Sequence, residues 1–246
     1  MSTLSQSAVA AIDLIRTPDP LLLSIVLRSL SVSATACLLA CAMGLPLGAW
    51  LGVARFRGRL AVLALLNTLL AVPSVVVGLA VYLLLSRSGP LGYLGWLFSF
   101  KAMVLAQAML VLPIVTALTC QVVEDAENAH GEQLRSLGAR NAVRCLLLAW
   151  DARYALLTVV IASFGRAISE VGAVMVVGGN IEGFTRVMTT AIALETSKGD
   201  LPLALGLGAV LLTVVLILNG VISSVRRWRE MAEDSHPQRA YWSGLS

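Results

Sequence analysis

The sequence predicts an all-α polytopic membrane protein with five spanning helices, and three observations lead there. First, 58% of the 246 residues are hydrophobic and only 13% are charged, about half the charge of an ordinary soluble domain. Second, residues 29–54, 60–86, 102–123 and 201–225 contain no Asp, Glu, Lys or Arg, and each is at least as long as the roughly 20 residues a helix needs to cross the hydrocarbon core. Third, a further apolar stretch over residues 154–181 is interrupted only by Arg166 and Glu170. In lipid each backbone polar group must find its partner within its own segment, so these stretches are expected to be helices. The composition excludes a disordered chain. The four cysteines, at 37, 41, 120 and 145, lie in or beside apolar segments and read as small core residues, not a disulfide framework.

Taken in order, residues 1–20 carry polar and acidic positions without a basic start, so they do not read as a secretory signal. Val9, Ile12, Leu14 and Ile15 fit a short amphipathic segment lying at the surface and ending near Pro18. The transmembrane domain follows over residues 21–226, and 227–246 form a tail. Small residues are frequent along residues 44–52 in the first span, 29–54, and along residues 206–208 in the last, where helix backbones can approach closely. Pro46, Pro73 and Pro113 are expected to kink the first three spans. A long loop over residues 124–153 separates the third span from the fourth. The stretch 182–200 is expected to return on the outer face, where its run over residues 187–194 is too short to cross and is expected to pack as a half-helix. Five spans place eleven Lys and Arg on one face against six on the other, so the N-terminus is expected outside and the C-terminus inside. The net charge of +4 is explained by membrane-flanking arginines and calls for no nucleic acid.

The 124–153 loop carries the densest pattern. Glu132 to Arg140 reads as a short helix with Leu134 and Leu137 on one face, ended by Gly138 and followed by Ala139. Val143, Leu146 and Leu147 then resume an apolar stripe. Such a helix either docks into a groove on a soluble partner or rests on the membrane surface. Within the fourth span, Arg166 and Glu170 are four residues apart and share a face. Intramembrane charges are costly and usually face a bundle interior or a water-filled path; the pair either locks the helix against its neighbours or lines an anion path. Gly178-Gly179-Asn180 beyond it reads as a helix cap or as a backbone turn with amides free to meet an anion. Neither histidine has metal-ligand spacing, no GxxxxGK[ST] phosphate loop occurs, and no serine has a base in a recognisable motif. The chain is therefore expected to bind no cofactor or metal and to catalyse no reaction of its own.

Glu132 followed by Gly138 in the loop between the third and fourth spans resembles the EAA loop of type I ABC transporter permeases, with Gln133-Leu134 standing where that loop has two alanines. Residues 165–173 (GRAISEVGA), 177–181 (VGGNI), 189–192 (TTAI) and 67–79 (NTLLAVPSVVVGL) are similar to the molybdate, tungstate and sulfate importers of that group. Residues 84–92 (LLSRSGPLG) and 191–196 (AIALET) resemble the tungstate permeases most. The resemblance implies a homodimeric permease of the inner membrane that imports an oxyanion, tungstate before molybdate or sulfate. It also implies a separate cytoplasmic ATPase docked through Glu132, Leu134, Leu137, Gly138 and Ala139, and an extracytoplasmic binding protein. Arg166, Glu170, Gly178, Gly179 and Asn180 would then line the pathway. An ion-coupled secondary transporter is the alternative from another class; it favours paired repeats with broken helices, which the sequence does not display.

Overall fold

The computed structural model describes residues 20–234, which are helical with short connections and, among the described residues, contain no strand. The amphipathic segment expected before Pro20 and the last residues of the tail, 235–246, lie outside the described residues. The helices are α1 (Pro20–Val53), α2 (Arg59–Leu70), α3 (Ser74–Leu85), α4 (Phe100–Ser136), α5 (Asn141–Asp151), α6 (Arg153–Ile168), α7 (Gly172–Gly178), α8 (Met188–Lys198) and α9 (Leu201–Asp234), with a single 3-10 turn at Gly92–Leu94.

Two helices, α1 and α4, are long and apolar enough to cross a membrane unbroken, and two bent pairs, α2 with α3 and α5 with α6, bring the candidates to four. The apolar start of α9, Leu201–Ile217, is shorter. Helix α1 begins nine residues before the charge-free run because Arg28 is accommodated: its Nη2 donates to the Gly183 carbonyl at 2.8 Å. The second span is broken by 97° between α2 and α3. Pro73 sits at the break with extended backbone, as a residue lacking an N–H and disfavouring helix before it requires. Pro46 and Pro113, by contrast, lie inside continuous helices. Helix α4 does not stop at residue 123, where the charges begin; Glu, Ala and Gln are good helix formers, and the helix runs on through the first half of the expected loop.

The fold is organised around α1 and α4. A Cβ on Gly44 would stand 2.8 Å from Val115, one on Gly48 2.6 Å from the Thr116 carbonyl and from Thr119, and one on Gly52 3.0 Å from Val123 and the Cys120 carbonyl. This glycine stripe is what lets the two backbones meet. Three buried clusters follow one another along the pair. Val32, Ala36, Val81, Met103, Val174 and Val177 join α1, α3, α4 and α7. Cys37, Ala40, Val111, Val115, Val159 and Ala167 join α1, α4 and α6. Ala49, Val53, Val123 and Leu148 join α1, α4 and α5. Cys37, Cys41 and Cys120 are free thiols within this core. The second halves of the two broken segments, α3 and α7, pack on each other, with Gly78 so close to Ala173 that a Cβ would lie 2.7 Å from its Cα. Helix α9 buries Ala204, Leu207 and Val210 in the unit that ends at Leu211; the chain from Leu212 belongs to a second unit.

Candidate functional site

The stretch expected to cross as one helix over residues 154–181 is interrupted at Ser169–Val171, between α6 and α7. Breaking a helix strands backbone carbonyls and amides that must be met elsewhere. Gln107 on α4 donates its Nε2 to the Ala167 carbonyl at 2.9 Å. Thr189 on α8 donates its hydroxyl to the Glu170 carbonyl at 2.8 Å. The Glu170 carboxylate accepts from the Ala173 amide at 3.2 Å through one oxygen and from Arg166 Nη1 at 2.7 Å through the other. Glu170 thus satisfies the start of α7, where a carboxylate also suits the helix dipole. Its side chain is 4% exposed, whereas that of Arg166 is 44% exposed. The pair is therefore asymmetric: Glu170 is a buried anchor, and Arg166 turns the rest of its guanidinium to an open face. Nearby on the α4 and α6 sides of the break, Gln107 Oε1 and Ser163 Oγ are buried without a hydrogen-bond partner among the described residues.

Gly178, Gly179 and Asn180 close α7. Gly179 and Asn180 both adopt positive φ, 70° and 49°, and the Gly179 amide donates to the Met175 carbonyl at 3.0 Å. The Thr185 hydroxyl donates to the Gly178 carbonyl and accepts from the Ile181 amide, and Phe98 N donates to the Val177 carbonyl at 3.0 Å. A Cβ on Gly178 would meet Met103 Sδ and one on Gly179 the Phe98 ring, each at 2.8 Å. The Gly179 and Ile181 amides are thus consumed inside the turn. Asn180 donates Nδ2 to the Thr190 carbonyl at 3.4 Å and keeps a buried Oδ1 without a partner among the described residues.

At the other end of the molecule, Glu132 and Leu134 belong to the last turns of α4. Leu137 and Leu134 were expected on one face, but the helix ends at Ser136. Leu134 packs inward on the Ala49–Leu148 cluster, while Leu137, past the last helical residue, is 81% exposed. Gly138 has φ of 75°; its amide donates to the Arg135 carbonyl and that of Ala139 to the Leu134 carbonyl, a glycine-dependent helix stop. The resumed apolar stripe is a separate helix, α5. Val143, Leu146, Leu147 and Trp150 recur at helical spacing on its outer side, with Leu146 at 72% and Trp150 at 69% exposure, and Leu148 is buried inward. Cys145 packs against the same inner cluster, and burial pushes its thiol above the usual range, which leaves it a neutral contact.

One residue that fixes α5 gave little sign in the sequence. Glu127, with a side chain 1% exposed, pairs with Arg135 at 2.6 Å and with the buried Arg144 of α5. Gly131 makes room for it: a Cβ there would fall 2.6 Å from the carboxylate. Arg144 is further oriented by Asn141 Oδ1 at 3.0 Å. A neighbouring ion pair, Arg59 to Glu124 at 2.9 Å, ties the start of α2 to α4. The only hint available from sequence was an acidic residue four positions before a glycine within a helix-forming run.

No protein-family model matches the chain. Among curated proteins it is 41% identical over 226 residues to the tungstate uptake system permease protein TupB of Peptoclostridium acidaminophilum, covering 92% of this chain and 99% of that one. It is 42% identical to a probable anion ABC transporter permease protein of Haloferax volcanii, over 81% of this chain and 88% of the relative. It is 33% identical to the sulfate transport system permease protein CysW of Escherichia coli K12, over 78% of this chain and 68% of the relative. With such identity over nearly the full length of both chains, this chain belongs to the family of anion ABC transporter permeases.

Proposed function

We propose that the chain is the membrane permease subunit of an ATP-driven, binding-protein-dependent importer of a tetrahedral oxyanion, tungstate before molybdate or sulfate. The observation that carries the reading is the 41% identity to a tungstate uptake permease over 92% of the chain. In this reading α1, α2 with α3, α4, α6 with α7, and α9 are five spans of the inner membrane, with the N-terminus outside and the C-terminus inside. Two copies enclose the pathway. The outer face meets a binding protein that delivers the anion, and the chain holds no cofactor, since ATP chemistry belongs to a separate ATPase subunit.

The geometry supports the following roles for the site residues. Leu137 and the outer face of α5 form an apolar surface beside Glu132, Gly138 and Ala139, suited to a groove on the ATPase. The Glu127 clasp makes α5 rigid with α4, so movement of the docked ATPase passes into the membrane bundle as rigid-body rotation. At the break, Arg166 offers its exposed guanidinium to a passing dianion, while Glu170 holds it in place and lowers its grip so that the anion can leave.

The test is reconstitution of the chain with its ATPase and binding protein in proteoliposomes. Tungstate-stimulated ATP hydrolysis with uptake is expected, and Arg166→Met should abolish uptake in a protein that still folds. Unchanged uptake by Arg166→Met would remove the pathway role. Preferential stimulation by molybdate or sulfate would reassign the substrate, and uptake persisting without any ATPase would favour the ion-coupled class.

A further inference from the structure

Beside the α1–α4 core lies a cavity of about 430 Å³ that the transport reading does not use. It falls within the range of about 300–1,000 Å³ typical of ligand sites. Helix α1 contributes Trp50 and Leu51, α2 contributes Val62 and Leu66, and α4 contributes Met109 and Leu112. The one hydroxyl in the lining, that of Thr116, is turned back onto the Leu112 carbonyl at 2.8 Å. The walls therefore offer an occupant apolar contact and no polar partner.

Chemistry of the opposite kind gathers at one end. Trp50, half exposed, stacks on Phe56 with ring centroids 5.4 Å apart, and tryptophan is a residue enriched at membrane–water boundaries. Phe56 is flanked by Arg55 and Arg57, both exposed. The nearest carboxylate, Glu124, is engaged by Arg59 at 2.9 Å and only loosely by Arg55 at 3.9 Å. Arg57 has no ion-pair partner among the described residues. Arg59 is also drawn to the cavity wall, donating its Nε to the Leu51 carbonyl at 3.1 Å. An apolar slot thus ends at an aromatic pair and two under-neutralised arginines.

We infer that this niche is a binding site for an anionic glycerophospholipid, with an acyl chain between α1, α2 and α4 and the headgroup phosphate at Arg55 and Arg57. Charge complementarity commits the site to an anionic lipid, because basic clusters flanking membrane helices select anionic headgroups. A zwitterionic lipid would fill the slot equally well and gain little from the arginines. The inference rests on the chain lying in a membrane and is independent of which anion it transports.

The experiment is native mass spectrometry of the full-length chain extracted from bilayers of phosphatidylglycerol and phosphatidylcholine in equal amounts. Retained phosphatidylglycerol should exceed phosphatidylcholine by a factor on the order of ten, given two arginines at the headgroup level. Arg55→Gln with Arg57→Gln, both at exposed positions, should abolish the enrichment, and Arg55→Lys with Arg57→Lys should restore it. Leu66→Trp, which fills the slot, should reduce retention of both lipids. Equal retention by the wild-type chain, or enrichment that survives the double glutamine variant, would overturn the site. So would a Leu66→Cys variant that crosslinks efficiently through this face to a second copy, since the slot would then be a subunit contact.

Discussion

Replacing Glu127 with Leu isolates what the clasp between α4 and α5 is worth. The Glu127 side chain is 1% exposed and that of Arg144 8%, so neither charge is screened by solvent. Removing one partner of a buried pair leaves the other as an uncompensated charge, at a cost of about 3–5 kcal/mol. Arg135 adds little, because its side chain is 52% exposed and exposed pairs are worth about 0–1 kcal/mol. For a chain of this size the loss corresponds to a fall in Tm on the order of 10 °C, read by thermal unfolding of the purified protein in detergent. Arg144→Leu should cost a similar amount. The double variant Glu127→Leu with Arg144→Leu should cost clearly less than the two together, because no buried charge is left behind. If the two losses instead add within about 0.5 kcal/mol, the residues do not act as a pair and the clasp is wrong. The double variant should also recover folding without recovering tight coupling of ATP hydrolysis to uptake, since α5 is no longer pinned by charge.

Gly48→Leu should abolish accumulation of folded protein, because even a Cβ there would stand 2.6 Å from the Thr116 carbonyl; overpacking typically costs about 1–3 kcal/mol or more, and gel filtration in detergent reports it. Leu146→Asp and Trp150→Asp should leave Tm within a few degrees, both being largely exposed, yet strip the ATPase from the purified complex; retention at wild-type stoichiometry would remove α5 from the docking surface. Gly138→Val places a β-branched residue at φ of 75°, at a cost of about 1–3 kcal/mol, and should lower uptake per ATP hydrolysed in paired transport and phosphate-release assays. Gln107→Leu should impair transport more than it lowers Tm, because the Ala167 carbonyl at the α6–α7 break loses its donor; equal loss of both would make Gln107 merely structural.

What the sequence discloses and conceals here has physical reasons. Pro73 declares its break, since a missing N–H and the extended backbone it imposes are local signals. Pro46 and Pro113 carry the same signal and yet lie inside continuous helices, because neighbouring helices can satisfy the freed groups. The interruption at Ser169–Val171 lies beside Gly172, where the sequence allows a break, but the groups that satisfy it, Gln107 and Thr189, lie more than sixty positions before one end and some twenty after the other. The end of α4 was obscured by treating the first charge as a boundary: a membrane-length rule says where hydrocarbon stops, not where a helix stops. Glu127 was hidden for a related reason. Among Glu124, Asp125 and Glu127 only the glycine four positions on distinguishes Glu127, and its burial is not fixed until Arg144 is folded back over it. The amphipathic spacing of Val143, Leu146 and Leu147 was legible, whereas the place of Trp150 on the same side and the separation of the stripe from the following span, by a 76° bend, were not.

The uninterrupted length of α4 has a mechanical consequence. Thirty-seven residues make a rod of about 55 Å at 1.5 Å per residue, far beyond the roughly 30 Å of hydrocarbon it crosses. Gln107, which braces the broken segment, and Glu127, which grips α5, are fixtures on the same rod, some 30 Å apart along its axis. It is a lever with no joint at the membrane surface, so a tilt of about 10° about its midpoint swings each end by roughly 5 Å. What compliance it has sits near Pro113, between the two fixtures, and the stiffness of that one turn sets how faithfully a push at one end arrives as a pull at the other.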